Sequence, residues 1–437
     1  MIDDYQAALN FIHGRTQFKK IPTLARMKRF LAELGNPQEG LTYIHVTGTN
    51  GKGSTVAMIR DALEDQGLTV GTFTSPFITR FNERIQYQSQ PISDHDLVRL
   101  AQRVEPVVAK LDSELPTGGP TEFEIDTAIM FCYMAEKQPD VVVLEVGIGG
   151  LYDSTNVIKP AVSVITTVGW DHMKYLGNTL GAIAHQKAGI IKESVPVVIG
   201  ALPAEARQVV LDEAAALNAP VYEEQRDFSA QKTNSHALRP QIKYDGVNLH
   251  HFMAQLGLLG DYQVENAAIA ITAVQLLMDQ KGLSLSTAAL QKSLAATHWP
   301  GRMEVVSDEP TVILDGAHNL PGMQALVKTI HHDLGDRDVY LLVAILADKQ
   351  YDLMLGELAS LGNVHIMVTN FAGPSAKRPS ADLDDAVADI PSHYPIQYAD
   401  QWQLGLREIA QQLSADDVLI VTGSLYFISE VRHLFCD

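Results

Sequence analysis

Short apolar runs rich in β-branched residues alternate along the chain with segments whose apolar positions repeat at the helical period. That alternation predicts strands joined by crossover helices in a largely parallel sheet, an α/β fold. In the first part, Tyr43–Thr47, Thr69–Phe73, Val141–Val146, Val162–Val168 and Val197–Ile199 read as strands, each leading into a loop rich in Gly, Ser, Asp or Asn. Open parallel sheets bind ligands beyond the carboxyl ends of their strands, so the loops starting at Gly48, Thr74, Gly147 and Gly169 are expected to converge on one crevice. A helical stretch, Ser286–Ala296, stops at Pro300-Gly301, which predicts a domain boundary near His298 and thus domains of 1–297 and 298–437. Beyond it, Val312–Leu314, Val339–Ala344, His365–Val368 and Val418–Val421 read as strands of a second, smaller α/β unit. The weakly periodic stretch Asp227–Gly246 reads as an irregular hairpin or a surface loop.

Length and charge narrow the picture. At 437 residues the chain exceeds one ordinary core and should divide in two, the first part longer. A net charge of -19 repels nucleic acid, so an anionic ligand needs a locally positive site. The two cysteines, Cys132 and Cys436, lack metal-ligand spacing and read as reduced thiols of a cytoplasmic protein. The acidic start Met1-Ile2-Asp3-Asp4 has no apolar signal core, and no apolar run reaches the roughly 18 residues of a membrane span. Neither a membrane nor a nucleic acid is expected as a partner, and with no association signal the expectation is a monomer.

The most informative segment follows the strand Tyr43–Thr47: Gly48-Thr49-Asn50-Gly51-Lys52-Gly53-Ser54-Thr55, running into a helix pattern that lasts to Gln66. Glycines turn backbone N–H groups inward, the helix N-terminus adds partial positive charge, and a lysine reaches terminal phosphates. The chemistry is triphosphate binding, although Gly53 separates Lys52 from the hydroxyl residues and the spacing departs from the common phosphate loop.

The string Gly-Thr-Asn-Gly-Lys-Gly-Ser resembles the ATP loop of the Mur-ligase superfamily. Thr74-Ser75-Pro76-Phe77 with Arg80-Phe81-Asn82-Glu83-Arg84-Ile85 is similar to the next loop of folylpolyglutamate synthases. Glu145 to Gly150, Asp153 to Asn156, Asp171-His172, Lys187 to Lys192 and Asp315 to Asn319 extend the likeness over nearly the whole chain. Cell-wall members usually carry a nucleotide-sugar domain ahead of the loop, whereas here the loop begins at Gly48, which favours the folate branch. The resemblance implies a P-loop domain with a mostly parallel sheet and a smaller Rossmann-like domain. It also implies an ATP- and Mg2+-dependent ligase that adds L-glutamate to the γ-carboxylate of tetrahydrofolate, or of its polyglutamates, through an acyl phosphate.

Residue by residue, the resemblance implies ATP contacts from Asn50, Gly51, Lys52, Gly53, Ser54, Asn266, Arg302 and Asp315, the last two with closure of the domains. It gives Ser75, Glu145 and His172 as Mg2+ ligands. It makes Lys187 a carbamylated, catalytic lysine beside Lys52 and His172; from the residues alone, an unmodified lysine on phosphate or on Glu145 serves equally. Thr121, Glu122, Phe123, Glu124, Tyr152, Asp153 and Ser154 align with segments lining a pteroate pocket, and the first four also read as a plain helix N-terminus. Arg84, His318 and Ser424 are candidate glutamate contacts. Relatives that also make dihydrofolate from dihydropteroate commonly have an arginine where this chain has Leu151, which leaves that second activity open. Two other readings stand beside this one: a cell-wall amino-acid ligase, and a P-loop protein that uses ATP as a conformational switch.

Overall fold

In the computed structural model, the described residues are 2–16, 23–116, 118–234, 237–373, 378–384, 387 and 390–436. The chain divides into two compact units. The first comprises Met1–Ser229, Asp245–His250 and Asn266–Leu294; the second comprises Ala230–Tyr244, His251–Glu265 and Ala295–Asp437. The second unit therefore takes two segments ahead of residue 298 as well as the chain's last third.

The first unit is built on eight strands: β1 (Tyr43–Thr47), β2 (Val70–Phe73), β3 (Ile85–Tyr87), β4 (Gln90–Pro91), β5 (Val141–Glu145), β6 (Val162–Ile165), β7 (Val197–Ile199) and β8 (Val221–Glu223). Their order is β4-β3-β2-β5-β1-β6-β7-β8, parallel from β2 to β8, with the hairpin strands β3 and β4 antiparallel at one edge. Every residue of β1 and β5 is buried, and their near-continuous apolar runs are those of parallel strands covered on both faces. Helices Tyr5–His13, Ala25–Glu33, Asp94–Glu114 and Glu122–Lys137 share one core with Phe73, Val142 and Leu144. Helices Leu180–Ala188 and Ala204–Ala216 share another with Ile165, Val197 and Ile199.

The register of β1 against β5 and β6 pairs Val46 with Glu145 and Thr47 with Ile165, so the loops after all three strands leave the sheet side by side. Strand β6 stops three residues short of the expected Val168. Thr166 N–H still donates to the Thr47 carbonyl, and the hydroxyls of Thr166 and Thr167 donate to the Asn50 carbonyl, at 2.6 and 3.1 Å.

The second unit holds β9 (Ser229–Lys232), β10 (Gln241–Asp245) and β11 (Phe252–Gln255) in a three-stranded sheet. The stretch read as a hairpin or loop thus supplies β9 and β10. A six-stranded sheet follows: β12 (Glu304–Asp308), β13 (Thr311–Leu314), β14 (Val339–Val343), β15 (Val364–Thr369), β16 (Gln397–Ala399) and β17 (Val418–Thr422). Its order is β12-β13-β17-β14-β15-β16, parallel except for β12, over a core of Ile313, Leu341, Val343, Val368 and Ile420. Among the described residues no helix is long and apolar enough to cross a membrane.

Candidate active site

The ATP-type loop is fixed from both sides. Asn50 N–H donates to Thr167 Oγ1 at 2.9 Å, Thr49 N–H donates to the Thr167 carbonyl at 2.9 Å, and the Lys52 ammonium bonds the Gly48 and Thr49 carbonyls at 3.1 and 3.3 Å. Gly51, with φ +84°, caps the helix Lys52–Asp65, and a Cβ there would lie 2.3 Å from Asn266 Oδ1. Only glycine lets the loop turn this way and lets Asn266 approach so closely. Asn266, which the resemblance makes an ATP contact, is buried directly against the loop. Gly53 and Ser54 occupy the first turn of the helix, where orphan N–H groups and the helix dipole favour anions.

A pocket opens beside this loop, lined by Gly48, Lys52, Gly147, Gly149, Asp171, His172 and Lys187 among others. Lys187 enters it from the helix Leu180–Ala188 and is 2% exposed. Among the described residues no hydrogen bond or ion pair engages its amine. Burial, with the nearby Lys52 charge as a second cause, lowers its pKa to about 7 against the pull of Asp171. His172, in the left-handed region at φ +50°, starts the short helix Met173–Leu176, and its N–H donates to Asp171 Oδ1 at 2.8 Å.

Ser75 and Glu145 meet at the ends of neighbouring strands β2 and β5, where Ser75 N–H donates to Glu145 Oε2 at 3.0 Å. A hydroxyl and a buried carboxylate at one sheet edge suit a hard cation that keeps waters and shares phosphate oxygens. Among the described residues no group of three or more His, Cys, Asp or Glu side chains is placed to enclose a metal by itself.

The segments read as the pteroate pocket divide by what they touch. Thr121 and Glu124 form a reciprocal capping box on the helix Glu122–Lys137, and Glu124 pairs with Arg26 at 2.7 Å. Glu122 accepts from His13 Nδ1 at 2.9 Å. Phe123 lies against Phe73 and so close to Gly147 that a Cβ there would sit 2.7 Å from its ring. Asp153 Oδ2 accepts from Ile148 N–H at 3.1 Å, and Ser154 is buried while Tyr152 is exposed. Phe123 and Asp153 thus border the same glycine loop that lines the pocket beside Lys52. Arg84 sits above the Phe77 and Phe81 rings, with its Nη1 3.9 Å from Asp126.

In the second unit, Asp315 follows β13 and Ser424 follows the adjacent strand β17. Asp315 is buried and accepts from Met303 N–H at 3.0 Å, Ala317 N–H at 3.0 Å and the Tyr262 hydroxyl at 3.2 Å. Arg302 donates to the Gly316 carbonyl at 3.0 Å, and His318 Nδ1 to the same oxygen at 2.8 Å. The Ser424 hydroxyl is buried without a hydrogen-bond partner among the described residues.

Three comparisons with known proteins agree. Residues 46–274 match the Mur ligase middle domain, and residues 301–425 match the Mur ligase, glutamate ligase domain. The dihydrofolate synthase/folylpolyglutamate synthase of Bacillus subtilis is 39% identical over 99% of both chains, and the folylpolyglutamate synthase of Lacticaseibacillus casei is 39% identical over 98% of both. The chain belongs to the folylpolyglutamate synthase/dihydrofolate synthase family. Among solved structures, an FPGS–AMPPCP–folate complex superposes over the full length of both chains with a TM-score of 0.87 at 37% identity. The ADP complex of the Mycobacterium tuberculosis folylpolyglutamate synthase covers 99% of each chain with a TM-score of 0.86 at 29% identity. The protein is a ligase of folate metabolism.

Sequence reasoning named this family's strings but gave no role to several residues that shape the site. Asp171 lines the pocket, and Thr166 and Thr167 brace the ATP-type loop. Asp126 is 1% exposed with neither carboxyl oxygen hydrogen-bonded among the described residues, and burial raises its pKa to about 7. The pair Asp171-His172 stood out as a string; the others become visible only when distant segments meet.

Proposed function

We propose that the chain adds L-glutamate to the γ-carboxylate of tetrahydrofolate or its polyglutamates, using ATP bound at Asn50–Ser54 and an acyl-phosphate intermediate. The observation that carries this reading is the pocket that joins the ATP-type loop, Lys52 and a buried Lys187 amine to the glycine loop bordered by Phe123 and Asp153. A carboxylate is a poor acylating agent because oxide would have to leave. One of its oxygens therefore attacks the γ-phosphorus of ATP, the bond to the β-bridging oxygen breaks, and ADP departs. Lys52 neutralises charge that spreads over the phosphoryl oxygens. The neutral α-amine of glutamate then attacks the acyl carbon, and the tetrahedral adduct expels phosphate, carrying off the oxygen that came from the folate carboxylate.

Ser75, Glu145 and His172 would hold Mg2+, which would supply charge neutralisation to the triphosphate. The Ser75–Glu145 contact at 3.0 Å supports the first two. Lys187 takes up carbon dioxide as a carbamate: its buried amine, with pKa lowered to about 7, holds the neutral form that this addition needs. Asn266 meets the adenine end of the nucleotide, and Arg302 and Asp315 are further nucleotide contacts. Thr121, Glu122, Phe123, Glu124, Tyr152, Asp153 and Ser154 line the pteroate side. Arg84, His318 and Ser424 are glutamate contacts, and the unpaired buried Ser424 hydroxyl supports the last.

Dihydrofolate synthesis is a second reading, favoured by full-length similarity to a Bacillus subtilis protein named for both activities. The test is ADP formation by the purified protein with Mg-ATP and glutamate, comparing tetrahydrofolate, dihydropteroate and no pterin, with mass spectrometry of the products. Turnover with tetrahydrofolate, giving a product heavier by one glutamate residue, supports the proposal, and turnover with dihydropteroate adds the second activity. Hydrolysis of ATP that ignores folate and glutamate would overturn both.

A further inference from the structure

Strand β1 does more than deliver the ATP-type loop. In a strand, residues two apart face the same way, and His45 and Thr47 both turn toward the segment 147–155. Thr47 Oγ1 donates to the Gly149 carbonyl at 2.5 Å, and His45 Nε2 lies 2.8 Å from Thr155 Oγ1. Thr155 in turn gives Asp153 Oδ1 two hydrogen bonds, from its hydroxyl at 2.6 Å and its N–H at 3.0 Å, while Asp153 Oδ2 receives Ile148 N–H at 3.1 Å. His45 and Thr155 are fully buried, and Asp153 is nearly so.

The direction of this chain follows from the donor inventory. A carboxylate only accepts, so the Thr155 hydroxyl proton is committed to Asp153. The Thr155 oxygen is then left to accept, and His45 must be the Nε2–H tautomer donating to it. Burial and the charge of Lys192 push the His45 pKa down to about 3, so the ring stays neutral and the direction is fixed across the physiological range. The His45 Nδ1 atom has no hydrogen-bond partner among the described residues, consistent with a ring held by its other nitrogen. A buried polar relay of this kind orders the group at its end.

We propose that His45 and Thr155 are positioning residues for the folate substrate: the relay His45–Thr155–Asp153 sets the Asp153 carboxylate and, through Ile148, the glycine loop in register with the ATP-type loop on the same strand. This rests on the reading of Asp153 as part of the pteroate pocket. Because β1 carries both the relay and the nucleotide loop, the carboxylate to be activated is held at a fixed distance from the phosphate it attacks. Neither His45 nor Thr155 touches a reacting atom; both act through Asp153.

The test compares Thr155→Val, Thr155→Ser and Asp153→Asn by KM for tetrahydrofolate and for Mg-ATP, alongside the imidazole 15N shifts of His45 in the unaltered protein. Thr155→Val is expected to raise KM for tetrahydrofolate about tenfold, the size of one lost hydrogen bond to a charged group, with KM for Mg-ATP within about twofold. Thr155→Ser, which keeps the hydroxyl, should stay within about twofold of the parent on both. The 15N shifts, assigned by their loss in His45→Gln, should report the Nε2–H tautomer. An Nδ1–H tautomer would overturn the relay whether or not the variants fold. So would a raised folate KM in Asp153→Asn with none in Thr155→Val, or equal rises in both KM values that serine fails to rescue. If Asp153→Asn and Thr155→Val both leave the folate KM unchanged while His45 shows the expected tautomer, the reading of Asp153 as a substrate residue falls, and the proposal with it.

Discussion

Lys187 in the first unit and Asp315 in the second are both almost fully buried, at 2% and 3% exposed, yet their surroundings differ in kind. Asp315 sits in a nest of donors: two backbone N–H groups and the Tyr262 hydroxyl satisfy its oxygens. Burial raises its pKa, with Arg302 and the backbone hydrogen bonds acting the other way. Lys187 has no such partners among the described residues, and its neighbour Lys52 makes a positive charge less welcome still. A buried group with its hydrogen bonds made organises the backbone around it. A buried amine without them is left neutral near pH 7 and available for chemistry.

The sharpest way to break this contrast is to remove the lysines. Lys52→Ala, which removes the charge that neutralises the phosphoryl oxygens, and Lys187→Met, which removes the carbamate-forming amine, should each lower kcat for ADP formation on the order of a thousandfold. Asp315→Asn should keep far more kcat, its cost falling on KM for Mg-ATP and on stability of the second unit, about 1–3 kcal/mol by denaturant unfolding, because an amide cannot accept all three donors. A Lys187→Met variant with near-parental kcat would remove the distinction.

Carbon dioxide sharpens the contrast further. Below pH 7 the Lys187 amine is protonated and cannot add carbon dioxide; as pH rises through about 7 the neutral amine becomes the main form. Bicarbonate stimulation of the degassed enzyme should therefore be weak at pH 6, grow toward pH 8 and vanish in Lys187→Met. A 13C signal from labelled bicarbonate that requires Lys187 would report the carbamate directly.

The smallest expected effect concerns Asp126, another buried group without hydrogen bonds among the described residues. Its carboxyl pKa is raised to about 7 in the folded protein, above the unfolded value of about 3.9. Between those values the folded state holds the extra proton, so stability falls as pH rises from about 4 to 7 and the full penalty is present above 7. Asp126→Asn should then be more stable than the parent at pH 8, on the order of 1–2 kcal/mol, with the gain gone near pH 4. Equal stability at both pH values would show that a partner satisfies Asp126 after all.

Local chemistry was legible in the sequence. The strand Tyr43–Thr47 and the glycine–lysine loop after it are contiguous, so one segment announces both element and ligand. Strand ends were less legible: Val162–Val168 reads as one apolar run, but the strand ends at Ile165 and the hydroxyls of Thr166 and Thr167 bond the Asn50 carbonyl. The stretch 227–246 was hard to read because β9 has only exposed and half-buried positions, and only the short β10 alternates, with Ile242 and Tyr244 buried. Least legible were Asp171, Asp126 and the His45–Thr155 contact, whose partners lie far off in the chain and whose significance depends on burial. Capping boxes have a sequence signature, which is why Thr121 and Glu124 carried two meanings from the start; the helix Glu122–Lys137 uses both for its first turn.

The most direct test of the mechanism follows one oxygen atom. Tetrahydrofolate labelled with 18O in its γ-carboxylate is turned over once with Mg-ATP and glutamate, and the phosphate released is weighed. Activation through an acyl phosphate predicts that each phosphate carries one oxygen from the folate carboxylate. Unlabelled phosphate, with glutamylated product formed, would contradict it.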